Sequence, residues 1–412
     1  MPGISQAAPL ISGILVIDKT QYGVSRAYRF IGLVFLLKIC YVSDVSNWHI
    51  GRWAGFFARR GHQIDIITWN PEINPDLKNF VSESCVHVLE KPVASAGMVG
   101  RLKNFSSMRG KLRSVLAEIN PDIVHAHTAG SYAWMAMLSG FHPYVVTPWG
   151  DDIFVDARRS AFARIMTGLA LRRATLVTTD GYHVKDVLLR KFRVKPDRLE
   201  VVIFGVDLRR FEALPEQSAA RAGLGIRDGQ IVISTRTLAP IHDVETFVRA
   251  MPLILKGHPR TRFVVVGDGV NKPRLVELAN ETGVANAVIF TGRVDPKTVV
   301  DLLAASDVYV SSSVSDAGLA GSTAEAMACG LPVVHADNAD NRFWASGGDG
   351  GFVFPNGDAT ELAGHVTRLL EDQALRTRAG SRNRSVIAEQ YNYDVEMAKM
   401  EDIYRRVSTA AS

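Results

Sequence analysis

From Lys38 onward, the hydrophobic and polar positions alternate between two periods. Residues 39–43 are a short apolar run that ends at Asp44, and 45–48 read as a loop. Residues 49–60 carry apolar side chains at helical spacing (Ile50, Trp53, Phe56, Phe57) and stop at Gly61; residues 63–68 then alternate as a strand does. Strand, helix and strand within about 30 residues form a βαβ unit, which requires a parallel sheet. The pattern predicts a basic helix over 98–119, strands over 123–127 and 144–147, a second basic helix near 161–173, and strands over 176–179 and 199–203. Residues 205–216 lose the period and read as a polar, turn-rich linker.

A second series follows. It predicts strands over 231–235, 262–267, 288–291, 308–311, 331–336 and 351–353. Between them fall helices over 244–255, 272–282, 296–305 and 323–329, the last ended by Gly330 and Pro332. The fold class is therefore α/β, with two doubly wound, Rossmann-like parallel-sheet domains. Ligands of such sheets bind at the carboxyl ends of the strands, and with two sheets the expected site is the cleft that the domains face across. The reading assigns 1–36 to a peripheral N-terminal extension, 37–207 to the first domain and 208–390 to the second. The amphipathic, aromatic-rich end of the chain (391–412) fits either a last helix of the second domain or one that crosses back to the first.

Length and composition agree with this. A chain of 412 residues, 47% hydrophobic and 22% charged, is long enough for two full cores and excludes collagen, coiled coil and bulk disorder. Three scattered cysteines (Cys40, Cys85, Cys329) make no disulfide framework or four-thiolate zinc site, as expected of a reducing compartment. The apolar run 30–37 is interrupted by Lys38 and is too short to span a bilayer, so no transmembrane helix is expected. The net charge of +5 hides a division: residues 1–210 hold 27 Lys and Arg against 17 Asp and Glu, leaving 20 against 25 for the rest. A basic first half suits an anionic partner, or is simply a solvated face.

Several chemistries are absent. No Walker loop, G-x-S-x-G elbow, H-E-x-x-H or CxxC pair occurs, and Gly267-Asp268-Gly269 lacks the third glycine of a dinucleotide loop. The most informative block runs from Ser315 to Val334, where a glycine-containing loop enters a helix after a strand. Unpaired N–H groups and the helix dipole suit such a helix start to a diphosphate. Glu325 there can accept from ribose hydroxyls; alternatively, Ser322 and Glu325 form a capping box that only satisfies the helix start.

The block resembles the E-x7-E region of retaining glycosyltransferases of family four (GT4, group 1), whose architecture is GT-B. The resemblance extends over nearly the whole chain from Lys38. It includes Pro121-Asp122-Ile123-Val124-His125-Ala126-His127, Thr147-Pro148-Trp149-Gly150-Asp151-Asp152 and Gly205-Val206-Asp207 before Phe211. In the second half it includes Arg236 through His242, Val265 through Gly269, and Glu325-Ala326-Met327-Ala328 with Gly330 and Pro332. It implies transfer of a sugar, with retention, from a nucleotide-diphosphate-sugar to a glycan or lipid-linked acceptor, in cell-surface polysaccharide or glycolipid biosynthesis. Neither a cofactor nor a metal is expected, and nucleic acid is not an expected partner.

Carried over by position, the resemblance implies catalytic roles for Arg236, His242, Asp316 and Glu325. The donor side would comprise Arg236, His242, Gly267, Val294, Gly318, Leu319, Ala320, Gly321, Ser322 and Glu325; the acceptor side, Asn47, Trp48, His127, Trp149 and Asp151. The chain departs from the family pattern in places. His242 stands where the family has lysine, so diphosphate stabilisation is expected to be weaker or pH-dependent. Ala317 stands at the first glutamate, with Asp316 as a shifted replacement, and Trp149 takes the histidine position of H-G-x-D, either to stack on a sugar or to fill the core. Phe204 replaces an asparagine, and the loop 46–49 lacks the usual paired glycines.

The basic stretches Arg101, Lys103, Arg109, Lys111, Arg113 and Arg158, Arg159, Arg164, Arg172, Arg173 suit an anionic membrane surface, giving a cytoplasmic protein peripheral on the inner face. Two other readings of the chain are a nucleotide-sugar 2-epimerase on the same architecture and a catalytically weak binding protein.

Overall fold

The computed structural model describes residues 36–90, 98–223, 225–226, 228–345 and 349–410, with the side chains of Trp48 and 98–105 left aside. Apart from Leu36, the expected N-terminal extension lies outside the described residues. Two sheets form. The first runs β3-β2-β1-β4-β5-β6-β7, with β1 Lys38–Val42, β2 Gln63–Thr68, β3 Val86–Val88, β4 Ile123–His127, β5 Tyr144–Thr147, β6 Leu176–Thr179 and β7 Leu199–Val201. The second runs β10-β9-β8-β11-β12-β13, with β8 Ile231–Thr235, β9 Arg262–Val266, β10 Val288–Gly292, β11 Val308–Ser311, β12 Val333–Ala336 and β13 Gly351–Phe354. Pairing is parallel from β3 through β6 and throughout the second sheet.

Strands such as β4, β5 and β11 are buried at every position, because helices cover both faces of a parallel sheet. In the second sheet Val232, Val308, Val310 and Val334 join one core cluster, while Ile231, Ile233, Tyr309 and Val333 join the other. In the first sheet the strand order reverses between β1 and β4, and in the second between β8 and β11. Loops leaving such neighbours diverge, and the crevice between them is where ligands of this architecture bind. The topology therefore singles out the residues after β1, β4, β8 and β11.

The contacts divide the chain into two units. Residues up to 178 with 189–200 and 399–412 form one; 179–188 with 201–398 form the other. Within the last helix, Tyr393–Thr409, the residues up to 398 belong to the second unit and those from 399 to the first. From Lys399 it is fastened to the first unit: Trp53 donates to Tyr404 at 3.1 Å, and buried Glu401 takes Arg60 at 2.6 Å and His62 at 3.0 Å. The structure adds helices Ser131–Ser139, Tyr182–Lys191, Ala359–Glu371 and Gln373–Gln390 to those the pattern predicts. Ser131–Ser139 is apolar nearly all round and Gln373–Gln390 is polar nearly all round, so neither shows a one-sided stripe. The linker region contains a short 3-10 turn, Leu208–Phe211.

Candidate functional site

In the second unit, Arg236 follows directly on β8, while Ser313 and Asp316 lie in the loop after β11, the two strands at the reversal. The backbone from Arg236 to Leu238 is held by the end of β9 and the glycine-containing loop after it. Arg236 N–H donates to Val266 at 3.1 Å, and Leu238 N–H to Asp268 at 3.0 Å. Gly267 has φ +132°, and a Cβ there would lie 2.1 Å from the Arg236 carbonyl oxygen. This glycine is thus required for close backbone packing behind Arg236, whatever its contact with a ligand.

The Arg236 guanidinium is nearly buried and donates to Asp316 Oδ1 at 2.6 Å, Ser313 Oγ at 2.7 Å and Ser322 Oγ at 3.1 Å. It also lies 2.9 Å from His242 Nδ1. Arginine only donates, so Nδ1 is the acceptor and the His242 proton sits on Nε2. Burial, reinforced by the Arg236 charge, lowers the His242 pKa to about 4. His242 is therefore neutral at physiological pH, and a pH-dependent positive charge at this position is not available near neutrality. Asp316 Oδ2 is buried with no hydrogen-bond partner among the described residues. Burial raises the Asp316 pKa against the opposing pull of Arg236. The ion pair leaves this corner with no net charge.

The helix Gly321–Ala328 starts with Ala320 as N-cap and no side-chain cap. Ser322 is inside the helix and its hydroxyl accepts from Arg236 and from Tyr309, whose hydroxyl lies 3.0 Å away. The capping-box reading of Ser322 and Glu325 is thus overturned: the N-cap falls two residues earlier. Ala324 N–H is bonded to the Ala320 carbonyl at 2.9 Å, leaving the three preceding amides without an i−4 partner in the helix. Glu325 instead pairs with Arg210 at 2.6 Å. Leu319 is buried, its carbonyl accepting from Tyr391 at 2.7 Å, and Gly318 packs close to the Asp180 carbonyl, 3.0 Å from where a Cβ would stand. Val294 is half-buried against the second unit's core.

In the first unit, Asn47 caps the helix Trp48–Arg59 by accepting from His49 N–H at 2.9 Å. The side chain of Trp48 lies outside the described residues. His127 ends β4, is 2% exposed, and neither ring nitrogen has a hydrogen-bond partner among the described residues. It meets Trp53 edge-on at 4.8 Å and lies 5.7 Å from Trp149. Burial lowers its pKa to about 3, so it is neutral. Trp149 stacks on His49 at 4.4 Å.

Asp151 is exposed at the start of a short helix, whereas Asp152 beside it is buried. The Asp152 carboxylate accepts from the N–H groups of Ala129 (2.5 Å), Trp149 (3.2 Å) and Gly150 (2.9 Å), tying together the loops after β4 and β5. The organising carboxylate is thus Asp152 and not the expected Asp151; in H-G-x-D the acid is third after the histidine position, which points to 152. Arg210, Ser313 and Tyr309 were likewise missed. Arg210 had a signal in its place just before Phe211, whereas the other two emerge only from packing.

No cluster of three or more His, Cys, Asp or Glu placed to hold a metal occurs among the described residues, and no helix there is long and apolar enough to cross a membrane.

The family model for glycosyl transferases group 1 matches residues 216–386, and the glycosyl transferase 4-like model matches 38–181. The chain is 30% identical over 303 residues to D-inositol 3-phosphate glycosyltransferase of Streptomyces scabiei, covering 69% of this chain and 67% of that one. It is 25% identical over 375 residues to N-acetyl-alpha-D-glucosaminyl L-malate synthase of Bacillus anthracis, covering 89% and 95%. Among solved structures, Anabaena HepE in complex with UDP superposes with a TM-score of 0.75 at 18% identity, covering 90% of this chain and 100% of that one. That likeness shows the fold.

Proposed function

Because the chain belongs to the group 1 glycosyltransferases of family four (GT4), with the GT-B fold, we propose that it transfers a sugar, with retention, from a nucleotide-diphosphate-sugar to a glycan or lipid-linked acceptor. The observation that carries the donor assignment is the meeting of Arg236 with Ser322 at a helix start, at the strand-order reversal of the second sheet. Arg236 and the amides at 321–323 would take the diphosphate, Glu325 the ribose hydroxyls, and Val294 would lie against the base. Charge that develops on the departing diphosphate is stabilised by these preset donors, which is where such a site gains most of its rate. The acceptor oxygen attacks C1 on the face from which the diphosphate leaves. The C1–O bond to the diphosphate breaks as the new one forms, and the acceptor proton passes to a diphosphate oxygen. No metal is needed in this scheme.

For the acceptor we look to the first unit, where Asn47, His127 and Trp149 gather at the carboxyl ends of β1, β4 and β5. The same unit exposes Val155, Phe162 and Ile165 beside Arg158, Arg159 and Arg164, a mixture suited to the surface of an anionic membrane. Among the other basic residues of this unit, Lys111 is paired with Glu90 at 2.8 Å, and the side chains of Arg101 and Lys103 lie outside the described residues.

The test is release of nucleoside diphosphate from a panel of UDP-, GDP- and other nucleotide sugars, with lipid-linked, glycan and small polar acceptors, and the product anomer read by NMR. Release with an axial-to-axial or equatorial-to-equatorial outcome supports the reading. Inversion refutes retention, binding without turnover on every acceptor favours a binding protein, and change at C2 of the free donor favours an epimerase. Co-sedimentation with phosphatidylglycerol vesicles, lost on Phe162→Ser with Ile165→Ser, tests the membrane part.

A further inference from the structure

We propose that Arg210 is a positioning residue that sets the Glu325 carboxylate against the ribose, so that Arg210 governs the preference for ribonucleotide over 2′-deoxyribonucleotide donors. The inference rests on the donor site proposed above. Arg210 lies in the turn Leu208–Phe211, which is itself anchored: Phe211 is buried, Asp207 accepts from Arg209 N–H at 3.2 Å, and Val206 is bridged to Asn392. From this fixed point its guanidinium spans two segments. One nitrogen, Nη1, donates to Glu325 Oε1 at 2.6 Å; the other, Nη2, donates to the Pro296 carbonyl at 3.3 Å.

Pro296 is two residues beyond Val294, the residue assigned to the base. The rigid guanidinium fork therefore links the ribose carboxylate to the start of the helix Pro296–Ala305, beside the residue assigned to the base, a task a flexible ammonium performs less well. With Oε1 engaged, Glu325 Oε2 has no hydrogen-bond partner among the described residues and is left to accept from a hydroxyl. The pair is only partly exposed, at 34% for Arg210 and 23% for Glu325, so the carboxylate is held in place before any ligand arrives. A carboxylate left to rotate would spend that order on binding, and a sugar lacking the 2′-hydroxyl gains least from it.

The experiment is calorimetric titration of the full chain with UDP and GDP and with dUDP and dGDP, for wild type, Arg210→Gln and Arg210→Lys, with thermal unfolding as the control for folding. Loss of a charge-assisted hydrogen bond should weaken ribonucleotide binding about tenfold in Arg210→Gln while leaving the deoxyribonucleotide within about twofold, and Arg210→Lys should fall between. Cooperative unfolding in either variant with the wild-type ribose preference intact, or with both ligands weakened equally, overturns the inference. A wild-type chain that binds no nucleoside diphosphate overturns the donor-site reading, and this inference with it.

Discussion

Asp316→Asn offers a sharp test of the donor site, because the position in the family pattern and the observed geometry point in opposite directions. A carboxylate that merely stands in for the family's first glutamate and touches the donor would, on becoming an amide, weaken donor binding. In the structure, however, Asp316 holds the guanidinium expected to receive the diphosphate, at 2.6 Å, and His242 supplies no compensating charge. An incoming diphosphate must displace this carboxylate or sit beside it. Two unit charges about 8 Å apart at an effective dielectric of about 20 repel by about 2 kcal/mol. Removing the carboxylate charge should therefore tighten nucleoside-diphosphate binding about 30-fold. The parent nucleoside, which carries no phosphate, should be unaffected.

The pH dependence has a definite sign. Burial raises the Asp316 pKa, so protonation is easier there than in water, and wild-type affinity should rise as pH falls towards that value. The facing groups are Arg236, Ser313 and His242, and His242, with its pKa lowered to about 4, is neutral from pH 5.5 to 8. The terminal phosphate of the ligand itself loses a proton at about pH 6, so the variant should keep that slope, and the Asp316 contribution is the difference between wild type and variant. Isothermal calorimetry with UDP and GDP at pH 5.5 and 8 measures both effects, and unchanged or weaker diphosphate binding in Asp316→Asn would refute the reasoning. Thermal stability should fall at the same time, since a buried charge loses its partner.

Other expectations follow from the same contacts. Glu325→Ala should weaken donor binding and abolish release of nucleoside diphosphate while moving the melting temperature by no more than about 3 °C, since the lost ion pair is partly solvated; full activity would remove Glu325 from the site. His242→Lys restores a cation beside the diphosphate position and should tighten its binding about tenfold, read by the same calorimetry, with no gain counting against the site. Asp152, whose pKa is raised by burial to about 6 from 3.8, holds its proton more tightly when folded, so its contribution to stability should decline as pH rises from about 4 to 6. The difference in melting temperature between wild type and Asp152→Asn should change across that window; a constant difference would be inconsistent with the raised pKa.

The sequence by itself determined the architecture. Strands that must be buried on both faces and helices with a single apolar stripe leave little choice beyond two doubly wound sheets; the strand order that brings Arg236 and the loop before Glu325 to one reversal point came only with the structure. Motif order carried the family and most of the candidate residues with it. What it could not decide were partners distant in the chain. Whether Glu325 caps its helix or faces Arg210, whether Asp316 is open or held by Arg236, and whether Asp151 or Asp152 organises the loops each depend on groups brought together from separate elements. The charge of His242 was equally out of reach, because it depends on burial and a neighbouring guanidinium. Local pattern specifies which way a side chain can point; only packing decides what it meets and how much water remains to screen it.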